Sequence, residues 1–204
     1  MQIPEKGAEP AGIWQDPPVP STGPPCIRGV ALVGLLRAAE RFDPDAVAAA
    51  LEARASPALR RTIAECEPRT WYPAQAHFEL LDLLLHQVAG SDPTVLAEFA
   101  REAIRRDLRG VYRMLLRVMS PAWVVARADR FLAAYLNYGR VEIESRSLVG
   151  ARLRFVANPS TEAFWNGLCG SIRGALESAG AEHPRVLREP CDEPHTALYR
   201  LSWL

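Results

Sequence analysis

The sequence predicts an α+β domain in which an N-terminal multi-helix layer packs on a four-stranded antiparallel sheet, with the order β-β-α-β-β at the C-terminal end. Three observations predict it. Between residues 26 and 138, apolar residues recur at three- and four-residue steps. At Gly139 the period changes to two. Four short alternating segments then follow at hairpin spacing, with one helical stripe between the second and third.

Residues 1–25 carry seven prolines, including the run PPVPSTGPP. Proline removes a backbone donor, so this stretch is expected to be a largely disordered, partly polyproline-like tail. Trp14 is its one aromatic anchor. Residues 26–204 are expected to form a single domain, helical over 26–138 and sheet-containing over 139–204.

The helices are punctuated by proline starts. From Arg28, RGVALVGLLRAAERF is strongly apolar. DPDAVAAALEARA opens on an Asp cap with proline in the first turn, and SPALRRTIAEC repeats the device with Ser56 and Pro57. In YPAQAHFELLDLLLHQVAG, residues Phe78, Leu81, Leu84, Leu85 and Val88 keep one face, and Gly90 is a natural stop. SDPTVLAEFAREAIRRDLRGVYRMLLRVMS keeps a face from Leu96 to Val118, with Gly110 as a point of division. SPAWVVARADRFLAAYLNYG reads as one further helix from a Ser120 cap.

RVEIES and ARLRFVA then alternate apolar with charged residues around a turn at RSLVG, a hairpin with one buried and one wet face. STEAFWNGLCGSIRGALESAGA is a helix with Ser160 as its expected N-cap and Glu162 in the first turn. Its stripe is Phe164, Leu168, Ile172 and Leu176, and Gly180 ends it. The small residues in GLCGSIRG are expected to permit close helix–sheet packing, since they lie within a helix and not in a nucleotide loop between strand and helix. PRVLRE and TALYRLSW are the last strands. Trp165 and Trp203 are expected to meet across the helix–sheet interface.

Composition narrows the function classes. The formal net charge is zero, so no global field draws the chain to nucleic acid or an anionic membrane. The basic residues are 23 Arg against one Lys, Lys6. Selection for bidentate anion recognition would give this bias, and so would a GC-rich genome, which the heavy Ala and Pro usage favours. Cys26, Cys66, Cys169 and Cys191 lie far apart and form no CxxC pair, against a zinc knuckle or a dense disulfide framework. MQIPEKGAEPAGIWQ has neither an apolar run nor a basic leader, and no apolar stretch is long enough to span a bilayer. The expected location is a reducing cytoplasm. No GxSxG, HExxH or phosphate-loop string is present, which predicts no enzymatic activity.

Binding candidates are of two kinds. Arg101, Arg105, Arg109, Arg113 and Arg117 recur every four residues, with Arg106 beside them. A four-residue step drifts slowly around a helix, so the stripe stays on one broad side. It is a candidate face for an acidic protein partner, weighed against a solvated face laced with pairs such as Glu98–Arg101 and Glu102–Arg106. Nucleic acid is not the expected partner, because no aromatic platform is interleaved with the arginines. Trp71, Tyr72, His77, Phe78, Trp123, Phe131 and Tyr135 are candidates to line an apolar pocket, although core packing explains most of them equally. His77 lies beside the apolar face of its helix, where an axial haem ligand would stand, and a partly buried histidine is the plainer reading. Cys66 and Cys169 read as small buried hydrophobes on helices. At the C-terminus, Cys191, Asp192 and His195 have ligand chemistry, but Asp192-Glu193-Pro194 reads as the turn before the last strand, and no metal site is expected.

The pieces WYP (Trp71–Pro73), YLNYGRVEIE, GARLRFV, GLCGSIRGALESAGA and YRLSW carry a further signal. Over about Arg69 to Trp203 the chain resembles a paralogous family of uncharacterised myxobacterial proteins. That family is similar to the superfamily of haem nitric-oxide-binding domains, 4-vinyl-reductase domains and TRAPP small subunits. The resemblance implies a helical layer over a twisted sheet, an internal apolar pocket in some members and a homodimer. Such members bind haem, a tetrapyrrole precursor or an acyl chain, the last on a helix cysteine. The Tyr-x-Ser-x-Arg string that holds haem propionates in the nitric-oxide-binding domains has no counterpart in this sequence.

The expectation is a bacterial, non-enzymatic regulatory or scaffold module that binds a protein partner through the helical arginine face and needs no cofactor. The alternative is a sensor holding a hydrophobic small molecule or tetrapyrrole in an internal pocket, with haem or lipid as its possible cofactor.

Overall fold

The computed structural model describes residues 23–111 and 120–204, and the side chains of 109–111 lie outside that description. The expected tail therefore falls outside it up to residue 22. The chain begins with strand β1 (Cys26–Arg28), then helices α1 (Gly29–Phe42), α2 (Pro44–Arg54) and α3 (Pro57–Ala64). Strand β2 (Trp71–Pro73) leads into α4 (Ala74–Leu83), which continues as a π-turn over Leu84–Val88. Helix α5 (Pro93–Val111) is followed by α6 (Pro121–Val125) and α7 (Ala128–Tyr135). Strands β3 (Arg140–Arg146) and β4 (Gly150–Val156), helix α8 (Glu162–Ser178), and strands β5 (Arg185–Glu189) and β6 (Thr196–Ser202) complete the fold. The fold class is α+β, with an antiparallel four-stranded sheet in the order β3-β4-β6-β5.

The capping chemistry explains most of the starts. Asp43 accepts from the Ala46 amide, Ser56 from Leu59 and Ser120 from Trp123, each one residue before a proline at the first helical position. Gly90 ends the π-turn with a φ of 61° and Gly180 follows α8 with a φ of 86°, the left-handed region that glycine enters without steric cost.

Five local expectations are corrected. WYP is not the lead-in of a helix but β2, which pairs with β1 in a two-stranded ribbon, Ile27 opposite Tyr72. Each strand has three residues, too short for alternation to be legible. Residues 121–135 are two helices, because the backbone breaks at Arg127 (φ −123°, ψ 24°), whose guanidinium sits 4.0 Å over the Trp123 ring. Thr161, not Ser160, caps α8 by accepting from Phe164, while Ser160 Oγ lies 3.1 Å from His195 Nδ1. Cys66 lies in the loop after α3, not on a helix. Trp165 meets Phe164 edge to face at 4.9 Å and its carbonyl accepts from Tyr199 Oη at 2.7 Å, whereas Trp203 donates to the Leu148 carbonyl. No ring contact joins Trp165 to Trp203 among the described residues.

One core runs through both halves. Leu153, Phe155, Ala197, Tyr199 and Leu201 form the inner face of the sheet and meet the buried faces of α1, α4, α5 and α8. The outer face is charged and self-paired. Arg152 reaches Glu144 and Glu189, Arg154 reaches Glu193, and Arg200 reaches Glu189, so cross-strand arginines share interleaved carboxylates. At the joint between the halves, Asn137 Oδ1 accepts from the Cys26 amide at 2.6 Å. Its Nδ2 donates to the Pro24 carbonyl, and its own amide donates to the Cys26 carbonyl.

The small residues of α8 pack helix on helix, not helix on sheet. A Cβ at Gly170 would stand 1.8 Å from the Ala97 carbonyl oxygen, and one at Gly174 would stand 2.6 Å from that of Arg101. Helices α5 and α8 therefore lie almost backbone to backbone. Among the described residues, no helix is long and apolar enough to cross a membrane.

Candidate ligand cavity

An apolar cavity of about 170 Å³ lies between the helical layer and the sheet. Its walls come from nearly every element around the core. Ala31 and Leu35 come from α1, Leu81 from α4, and Ala103, Ile104 and Leu108 from α5. Helices α6 and α7 supply Val124, Phe131 and Leu132, the sheet supplies Leu153, Phe155 and Leu201, and α8 supplies Leu168, Ile172 and Leu176. The tight α5–α8 contact is what closes one side. Small residues let the two backbones approach, and the larger ones on the same helices turn to the cavity.

Three described lining residues carry polar side chains: His77, Tyr135 and Ser171. Tyr135 Oη donates to the Asp107 carboxylate. His77 sits on α4 with Phe78 and Phe164 around its ring, the latter edge-on at 6.4 Å. Its Nδ1 is buried with no hydrogen-bond partner among the described residues. Burial disfavours the imidazolium and lowers the His77 pKa to about 4, so the ring is neutral at physiological pH. A neutral imidazole has one N–H donor and one acceptor nitrogen. An unsatisfied buried group of this kind costs about 1–3 kcal/mol, which makes it the least explained polar atom of the wall.

Of the seven residues expected to line a pocket, His77, Phe131 and Tyr135 lie on the cavity wall. The other four do not. Trp71 and Tyr72 stand on β2, where the Arg28 guanidinium lies 5.2 Å over the Trp71 ring, and Tyr72 Oη donates to the Glu65 carbonyl. Phe78 is buried edge-on to Phe164 at 5.8 Å, and Trp123 lies under Arg127. Of the lining residues on α5 and α8, Ala103, Leu108, Leu168, Ile172 and Leu176 belong to stripes that the sequence predicts as core. The same periodicity serves a packed core and a hollow one, and no sequence signal separates them.

The arginine face is partly within view. Arg101 Nε donates to both oxygens of Glu177, at 2.9 and 2.8 Å, and Arg105 lies 3.5 Å from the same carboxylate. Arg106 pairs with Glu102 at 2.7 Å. Arg173 of α8 joins through Glu98 and Glu177. These charges tie α5 to α8. The Arg109 side chain, Arg113 and Arg117 lie outside the described residues. At the C-terminal turn, Cys191, Asp192 and His195 do not converge. No group of three His, Cys, Asp or Glu residues that could hold a metal ion occurs among the described residues.

The fold and cavity together define a class: an α+β domain with an apolar cavity between a helical layer and an antiparallel sheet. Solved structures similar to this chain in fold include H-NOX proteins. The Fe(II) unliganded H-NOX protein from K. algicida is 13% identical with a TM-score of 0.57, over 87% of this chain and 96% of that one. An oxygen-binding H-NOX domain related to soluble guanylate cyclases is 11% identical with a TM-score of 0.60, over 86% and 94%. The IWP-051-bound H-NOX from Shewanella woodyi is 15% identical with a TM-score of 0.58, over 86% and 94%. At these identities the likeness is one of fold, and it agrees with the haem nitric-oxide-binding part of the sequence resemblance. A search of curated proteins gives no match. The chain belongs to the family described as protein of unknown function (DUF2378), whose profile matches residues 44–204.

Proposed function

We propose that this chain is a sensory ligand-binding domain that holds a small apolar molecule in the cavity between its helical layer and its sheet. The cavity itself carries the reading. An apolar void that costs packing energy is seldom kept in a core packed to crystal density. Its volume of about 170 Å³ is close to the ~150 Å³ that admits benzene in an engineered core. The fold shared with H-NOX proteins supports a sensory role. The arginine face supports the scaffold reading less directly, because Arg101, Arg105 and Arg106 already have carboxylate partners within the chain.

The described residues do not fit a haem. His77 offers a neutral nitrogen of the right chemistry. However, the cavity lies below the ~300–1,000 Å³ typical of larger ligand sites, and its described lining residues include no Arg or Lys to meet two propionates. The occupant supported here is smaller and uncharged.

The test is binding of toluene to the purified full chain, followed by ligand-observed NMR, beside a haem titration followed by absorbance. The expected result is saturable toluene binding that is lost when the cavity is filled by Ser171→Leu. Absence of toluene binding would overturn the reading. A one-to-one haem complex whose absorption band depends on His77 would overturn the smaller-ligand assignment.

A further inference from the structure

Among the described residues the cavity wall is apolar except at three places, and those three are not alike. Tyr135 Oη is engaged by Asp107. Ser171 lies on α8 and makes no side-chain hydrogen bond among the described residues. His77 lies on α4, and its buried Nδ1 has no partner among them. Tyr199 Oη finds the Trp165 carbonyl and Trp203 Nε1 that of Leu148, while Trp71 Nε1 and Tyr138 Oη are buried without a partner among the described residues, but neither of these two lies on the cavity wall. On a wall otherwise built from apolar side chains, His77 is the group to which a polar atom of a ligand can hydrogen-bond.

The chemistry of that partner follows from the surroundings. An ion would be stranded, since no described lining residue carries an opposite formal charge. A pure hydrocarbon would fill the space and leave the histidine nitrogen unsatisfied. A carbonyl can only accept, so it serves one orientation of the imidazole proton. A hydroxyl both donates and accepts, so it serves His77 in either tautomer.

We propose that the ligand is a neutral aryl or alkyl alcohol whose apolar body fills the cavity and whose single hydroxyl group hydrogen-bonds to His77. This rests on the cavity being a ligand site and adds the ligand's class and the residue that selects it. His77 acts as the specificity residue, and the apolar wall supplies affinity without discrimination.

The experiment compares phenol with toluene, which have nearly the same shape, on the wild-type chain and on His77→Leu. In water-to-apolar transfer phenol is the poorer ligand, because it gives up hydrogen bonds to water. The wild type is expected to bind phenol at least as tightly as toluene. In His77→Leu toluene binding persists, while phenol binding falls by roughly tenfold or more, a loss of about 1.4 kcal/mol. His77→Gln, which keeps a donor and an acceptor, is expected to restore most of the phenol preference. The imidazole nitrogen shifts of the wild type should also move on adding phenol and not on adding toluene, a readout that needs no variant. Toluene binding to both proteins, with an unchanged phenol-to-toluene ratio and unmoved nitrogen shifts, overturns the role of His77 and leaves the cavity reading standing. Failure of both probes overturns the two together.

Discussion

Gly170 of α8 faces the backbone of Ala97 on α5 so closely that a methyl group at position 170 would stand 1.8 Å from the Ala97 carbonyl oxygen. Alanine favours a helix over glycine by about 1 kcal/mol, but here the overlap is with backbone and cannot be relieved by a side-chain rotation. Overpacking of this kind costs typically 1–3 kcal/mol or more. Gly170→Ala is therefore expected to destabilise the chain by about 2 kcal/mol net, read as a lower denaturation midpoint. A Cβ at Gly167 would meet the side-chain tip of Leu81 at 3.3 Å and the Ala100 methyl at 4.0 Å, with no backbone overlap, so Gly167→Ala should be close to neutral. Equal effects at the two positions would show that α5 and α8 are not held at this distance.

His77 gives a pH dependence with a defined sign. Its pKa is lowered by burial from 6.5 to about 4 in the folded chain. Between those values the unfolded chain takes up a proton that the folded chain does not. Stability is thus full above about 6.5 and falls as pH drops towards 4, by up to about 3 kcal/mol on the linkage relation. The His77→Leu chain should lose this component of the pH slope, measured by denaturant titration at several pH values.

Glu177 is the hub between α5 and α8. It accepts two hydrogen bonds from Arg101 Nε and lies within reach of Arg105 and Arg173. Exposed ion pairs contribute little, but this carboxylate is only 15% exposed and serves three arginines. Glu177→Ala should cost roughly 1–3 kcal/mol, since three partly buried cations lose a common partner. A double-mutant cycle with Arg101→Ala should give a coupling near 1 kcal/mol that weakens with salt.

Tyr199 is fully buried on β6, and its hydroxyl donates to the Trp165 carbonyl at 2.7 Å. Burial raises its pKa far above the ordinary range for a phenol, so it stays a donor at any pH the fold survives. Tyr199→Phe keeps the ring contact with Phe155 and removes only that bond. The expected loss is about 1 kcal/mol in unfolding free energy. A far larger loss would point to a wider rearrangement between α8 and the sheet.

Much of the fold was legible because it is written in local chemistry. Asp43, Ser56 and Ser120, each followed by proline, mark helix starts that the structure reproduces. The change of period at Gly139 marks the sheet, and the alternation of Leu153 and Phe155 with Arg152 and Arg154 marks its two faces. What stayed hidden depends on residues distant in the chain. The β1–β2 ribbon has three residues a strand and exists because Cys26–Arg28 meets Trp71–Pro73. The partner of the α8 glycines could not be read from α8 alone, because helix and sheet both accept small residues. The cavity was least legible of all. Leu108, Ile172 and Leu176 have the spacing of core residues whether the space between them is filled or empty.

The Asn137 side chain, bonded to the Cys26 amide and the Pro24 carbonyl, joins points more than a hundred residues apart. One amide thereby clasps the first strand to the segment that leads from helices to sheet. The helical half cannot swing away from the sheet without breaking that clasp, and with one core shared by both halves the two are expected to melt as one cooperative unit. Hydrogen exchange at the Cys26 amide is then expected to report global unfolding rather than local fraying of a three-residue strand.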